Sequence, residues 1–139
     1  MAIILSWFIS VMFLALVEAR TRTKYVHNDP HVDLQLTLIL DEEDLSVYWE
    51  YRCRPDERPY LVGPFPLIFS RAVSHFGLFG IDYGGTNVPR QIRTRCPSQN
   101  GIFRRDLRVL MFRSDDTVRT VLGAKLATFV KASRSSLTP

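Results

Sequence analysis

Three histidines are the side chains best suited to acid–base chemistry near neutral pH, and none of them stands in a catalytic pattern. His27 and His31 lie with Asp29 and Asp33 in His27-Asn28-Asp29-Pro30-His31-Val32-Asp33, a set of donors that a metal could use. Pro30 prevents the helix that would bring both histidines to one face, and no further ligand group is at hand. The stretch therefore reads as a solvent-exposed loop and no metal is expected. His75, beside Phe76 in an apolar stretch, reads as a packed core or rim histidine. The chain has no Gly-x-Ser-x-Gly elbow, no Walker-type loop and no cysteine positioned by a nearby histidine. Gly84-Gly85-Thr86 is a turn signal, its glycines supplying positive φ rather than a phosphate cradle. The expectation is a protein without catalysis or cofactor. The alternative, a ribonuclease or other hydrolase, would have to draw on Glu50, His75 and Arg108.

Charge is the more informative chemistry. Residues 20–89 hold 7 basic and 10 acidic side chains, a net of −3, whereas residues 90–139 hold 11 basic and 3 acidic, a net of +8. A basic half of this kind can meet phosphate or an acidic protein surface, or remain a solvated face. The residues expected to form the contact surface are Arg90, Arg93, Arg95, Arg104, Arg105 and Arg108. Gln91–Arg95 reads as a strand, in which Arg93 and Arg95 would share a face.

The compartment follows from the first residues. Ala2–Val17 is 16 residues without a charge, followed by Glu18, Ala19 and the basic residues Arg20, Arg22 and Lys24. Val17 and Ala19 supply a cleavage site, so residues 1–19 are expected to be a signal peptide, with retention as a membrane anchor as the alternative. Export carries the rest from Arg20 into an oxidising environment, where Cys53 and Cys96 are expected to form one structural disulfide. Closing that loop of 44 residues removes about 4 kcal/mol of unfolded-chain entropy. No membrane contact is expected after cleavage, and the mature protein reads as a monomer.

The elements that must position these residues begin with a hairpin. Leu34, Leu36, Leu38 and Leu40 share one face of a first strand and Leu45, Val47, Trp49, Tyr51 and Cys53 one face of a second, joined by Asp41-Glu42-Glu43-Asp44. Phe65, Phe69, Ala72 and Phe76 fall at helical spacing, with Pro66 near the start and Gly77 and Gly80 at the end, which predicts a short buried helix within Phe65–Phe79. Further strands are read at Gln91–Arg95, Leu107–Arg113, Thr117–Leu122 and Leu126–Lys131. Residues 20–31 then form an N-terminal extension, 32–131 one globular domain and 132–139 a disordered tail. One helix among segregated strands indicates α+β, the helix packed on an antiparallel sheet.

Tyr51-Arg52-Cys53 is a Y-x-C string ending a hairpin strand. Together with Leu107-Arg108-Val109-Leu110-Met111-Phe112, Asp115-Asp116 and Val121, it resembles the ribonuclease-like secreted effectors of powdery mildew fungi. The resemblance implies a microbial ribonuclease-like fold in which Arg108 matches the phosphate-binding arginine and Gln91 stands where catalytic relatives carry the glutamate base. The last strands, through Val121-Leu122-Gly123-Ala124, contain no histidine acid. Glutamine cannot take a proton from a ribose hydroxyl, so the resemblance implies a non-catalytic effector that binds host protein or RNA. A disulfide-linked β-sandwich is the alternative architecture.

Overall fold

The computed structural model describes residues 22–27, 34–68, 77–97, 101–114 and 116–132. Alternation of buried and exposed side chains runs along most of the strands. Eight strands run in chain order among the described residues: β1 (Arg22–His27), β2 (Gln35–Asp41), β3 (Ser46–Arg52), β4 (Tyr60–Ile68), β5 (Leu78–Ile81), β6 (Val109–Ser114), β7 (Thr117–Leu122) and β8 (Lys125–Lys131). Among the described residues one helix, α1 (Val88–Arg95), interrupts them between β5 and β6. Every neighbouring pair is antiparallel, and β8 returns to β1 through Tyr25↔Lys131 and Val26↔Val130, so the sheet closes into an up-and-down barrel.

An eight-stranded barrel has an interior narrow enough for side chains to fill. Leu36 and Leu38 of β2, Val47 and Trp49 of β3, Leu110 of β6, Val118 and Thr120 of β7 and Phe129 of β8 are all fully buried there. Thr120 is tolerated because its hydroxyl donates to the Val109 carbonyl at 2.8 Å. Thr37, Tyr48, Glu50, Arg119 and Thr128 alternate with these inward residues and are partly or well exposed. The interior is apolar and the outer wall is mixed, with Leu61 and Ile68 of β4, Val109 of β6 and Leu126 and Val130 of β8 also exposed. Among the described residues no helix is long and apolar enough to cross a membrane.

The architecture overturns the α+β, ribonuclease-like expectation. The sheet is not an open layer with a helix across its face but a closed wall with a helix at one end. Nor are there two stacked sheets, as a sandwich would require: all eight strands belong to one sheet. The expected hairpin does form, with β2 and β3 paired in register from Gln35↔Arg52 to Asp41↔Ser46. Its acidic link turns because the Asp41 carboxylate accepts from the backbone N–H groups of Glu43 and Asp44, at 3.1 and 3.2 Å.

Two segments depart from the sequence reading for identifiable reasons. Phe65, the expected start of a helix, is a buried strand residue of β4 together with Leu67, and Leu78 and Phe79 belong to β5; residues 69–76, with His75, lie outside the described residues. Pro66 is compatible with β4 because its nitrogen faces β5 at the end of that pairing, where its carbonyl alone is used, accepting from the Asp82 N–H at 2.9 Å, and Pro64 falls at the irregularity in the β3–β4 register between Val47 and Trp49. Gly63 has φ +133°, and a Cβ there would sit 2.9 Å from the Val47 carbonyl oxygen. The second departure is Gln91–Arg95, which is helix rather than strand. Strand β1 comes from the stretch read as an extension, and its pairing with both β2 and β8 closes the wall.

Candidate binding surface on the barrel lid

The two ends of the barrel differ. At one, short turns join β2 to β3 and β6 to β7. At the other, the described residues of the long connection 82–108, 82–97 and 101–108, fold over the opening as a lid. Val88 and Ile92 of α1, then Cys96, Ile102 and Leu107, join the same buried cluster as Trp49 and Leu110. Their sequence signal is the spacing Val88, Ile92, Cys96, apolar at every fourth residue, with Asn87 before it and Pro89 in its first turn. The Asn87 side chain caps the helix, its Oδ1 accepting from the Arg90 N–H at 3.1 Å. Alternation at Arg93 and Arg95 points to a strand only if this longer period is passed over.

Three fastenings hold the lid. The Cys53–Cys96 disulfide, with Cα atoms 5.3 Å apart, ties the helix C-terminus to the β3–β4 loop. Trp49 Nε1 donates to the Tyr83 hydroxyl at 2.8 Å, and that hydroxyl donates in turn to the Leu107 carbonyl. Asp106, almost fully buried, accepts from the Phe103 N–H at 2.8 Å and from the Gly123 N–H at 2.7 Å, linking the lid to the β7–β8 turn. Burial raises the Tyr83 pKa well above that of a free tyrosine, against the smaller opposing effects of Trp49 and Arg108. The hydroxyl therefore stays protonated and able to donate.

The six arginines expected to form a contact surface all lie in this lid. Residues 82–108 contain Arg90, Arg93, Arg95, Arg104, Arg105 and Arg108, no lysine, and two acids, Asp82 and Asp106, a net of 6 − 2 = +4. All six are exposed, and none forms an ion pair with another described residue. Both acids are engaged by backbone: Asp106 as above, and Asp82 through the Gly84 N–H at 3.0 Å.

On α1, Arg90 and Arg93 occupy the face opposite Val88 and Ile92. Arg93 and Arg95 do not share a face, since two helical positions are about 200° apart. Arg95 instead leans to the flank, its guanidinium 4.3 Å from the centroid of the exposed Tyr60 ring. Tyr60 lies 5.4 Å from the ring of buried Tyr51, whose pKa is raised by burial and pulled back by the Arg95 charge. Arg104 and Arg108 line an open cleft of about 410 Å³ with Asp82, Gly85, Thr86 and Asn87.

This arrangement presents positive charge, and the described side chains considered for proton transfer lie apart from it. Gln91, matched above to a catalytic base, is on the helix rather than on a strand facing Arg108. Glu50 sits on the outer wall of β3, 4.0 Å from Lys24 Nζ, and three strands around the barrel from β6. His27 is held by the Thr128 carbonyl at 3.0 Å from Nδ1, and its ring stacks on Phe129. His31 lies outside the described residues, and among those described no group of three metal-ligating side chains gathers. In comparisons with known proteins, no family profile, curated protein or solved structure matches this chain.

Proposed function

We propose that this chain is a secreted, disulfide-stapled binding protein without catalytic function, and that its lid is the contact surface for an acidic protein partner. The observation that carries the reading is the set of six exposed lid arginines, with no ion-pair partner among the described residues and their two acidic neighbours bonded to backbone. Exposed arginines with adjacent aromatic rings are the side chains that dominate protein interfaces, and Tyr60 of β4, at 40% exposure beside Arg95, and Phe103 of the lid, at 51%, supply such rings. The disulfide is compatible with an extracellular protein.

A protein partner is favoured over RNA by the shape of the surface. Non-specific single-strand binding uses a groove with free aromatic faces for base stacking. Here Arg90 and Arg93 project from a helix, and the Tyr60 ring already lies against Arg95 and Tyr51. An effector role rested on the ribonuclease-like resemblance, and the closed barrel removes the fold that carried it. The reading is tested by fluorescence anisotropy with an Asp/Glu-rich peptide and a short single-stranded RNA as probes. Peptide binding that exceeds RNA binding and weakens with salt is expected. Preference for RNA would replace the partner class, and failure of both probes would remove the reading.

A further inference from the structure

We propose that the acidic partner is a second copy of this chain, whose β2–β3 turn docks on the lid, so that copies join head to tail in place of the expected monomer. The proposal rests on the lid reading above and names its partner.

Charge is divided between the two ends of the barrel. The lid carries a net of +4. At the opposite end the β2–β3 turn holds four acids in succession, Asp41-Glu42-Glu43-Asp44, and Asp116 lies in the turn between β6 and β7. The described cations near them are already placed. Arg22 lies 3.8 Å from Asp41, and Arg113 and Lys131 share a cleft with Glu42. Glu43 and Asp44 are exposed and form no ion pair with another described residue. The length of the wall separates these two carboxylates from the lid arginines of their own copy, whereas a second copy can bring the two together.

The turn is fixed before any contact. The Asp41 carboxylate holds the Glu43 and Asp44 N–H groups, and the carbonyl of Leu45, a residue at φ +51°, accepts from the Leu67 N–H at 2.9 Å. A preset turn has little conformational freedom to lose on docking. Leu45, next in the chain after the two acids, is 42% exposed, so the turn presents carboxylates together with an apolar side chain. The lid has the counterpart of each. Phe103, 51% exposed, directly precedes Arg104 and Arg105 in the turn held by Asp106, and Arg104 and Arg108 border the lid cleft. Asp82 borders that cleft too, bonded to the Gly84 N–H at 3.0 Å. Arginine with carboxylate and phenyl ring with leucine match the two surfaces in charge and in polarity.

A lid-to-turn contact joins two different surfaces at opposite ends of the molecule. It is therefore heterologous and does not close on a dimer, so rows lengthen as concentration rises. Its charge pairs are exposed, weak one by one and screened by salt, which makes the association weak and confined to low ionic strength.

Sedimentation velocity on the intact disulfide-bonded protein tests this. The weight-average sedimentation coefficient is expected to climb with concentration up to about 1 mM at low salt and to stay flat at about 0.5 M salt. Two variants separate the surfaces: Glu43→Gln with Asp44→Asn discharges the turn, and Arg104→Gln with Arg108→Gln discharges half of the cleft-facing charge of the lid. All four side chains are exposed, so both variants should keep the wild-type unfolding midpoint. Each alone should associate at least about tenfold more weakly than wild type. Mixed in equal amounts they should form a one-to-one complex that grows no further, because the mixture contains one intact lid and one intact turn per pair. A wild type that stays monomeric at low salt, a turn variant that associates as wild type does, or a mixture that stays monomeric overturns the proposal. The Asp/Glu-rich peptide tells this failure from that of the lid reading: monomeric protein that binds the peptide removes only the second copy as partner, and monomeric protein that ignores the peptide removes both.

Discussion

Trp49 and Tyr83 join the barrel wall to its lid through one buried hydrogen bond, indole Nε1 to hydroxyl at 2.8 Å, and the same hydroxyl satisfies the Leu107 carbonyl. Leu107 has φ +62° and is fully buried, so this carbonyl has no access to water as a substitute partner. Tyr83→Phe would leave a donor and an acceptor unpaired. A loss of about 2–3 kcal/mol is expected in urea unfolding, against less than about 1 kcal/mol for an exposed control such as Arg105→Ala.

Stability should also fall in alkali. Burial raises the folded-state pKa of Tyr51 and Tyr83 above the ordinary 10.0. The unfolded chain therefore loses these protons first, binds fewer of them than the folded chain as pH rises past about 10, and gains in relative stability. The contribution is complete below pH 10 and is lost above it. Unfolding midpoints measured from pH 8 to 12 should be flat and then decline, and Tyr83→Phe should flatten part of the decline.

Reduction should loosen the lid before the wall. The Cys53–Cys96 bond closes a loop with a sequence separation of 43 and contributes about 4 kcal/mol in the chain-entropy account. Adding reductant, or substituting both cysteines by serine, is expected to lower the urea midpoint by the corresponding amount. Hydrogen exchange should rise first in residues 88–96, while the β2–β3 ladder retains protection.

The sequence carried the wall better than its closure. Alternation in Leu36–Leu40 and Val47–Tyr51 marks β2 and β3 because one face of each is buried against the filled interior. Arg22–His27 escapes the same reading: its inward positions, Thr23, Tyr25 and His27, are polar or amphipathic, and their burial depends on Phe112 and Phe129, far away in the chain. The closing pair β1–β8 is a long-range fact that local pattern does not contain. Pro64 and Pro66 argue against a strand unless the register irregularity at Pro64 and the end of the β4–β5 pairing at Pro66 are known. For the lid, the period Val88, Ile92, Cys96 was present but competed with the arginine alternation two residues out of phase. The six arginines themselves were legible as a group; their convergence in one connection was not, because it requires Arg90–Arg95 to be helical.

Closure predicts an outcome for truncation. A chain beginning at residue 32 keeps the whole segment read as the domain but lacks β1, exposing the free edges of β2 and β8. It should lose its near-ultraviolet circular dichroism and cooperative unfolding, whereas a chain beginning at Arg20 should retain both.

The lid arginines as a contact surface are tested most directly by charge reversal. The variant with Arg90→Glu, Arg93→Glu, Arg104→Glu and Arg108→Glu changes four exposed side chains and should keep the wild-type unfolding midpoint within about 1 kcal/mol. Its affinity for the Asp/Glu-rich peptide is measured beside wild type at low and physiological salt. The expected result is a loss of at least about a hundredfold at low salt, with a smaller difference as salt screens both proteins. Equal affinity of the folded variant and wild type would contradict the account.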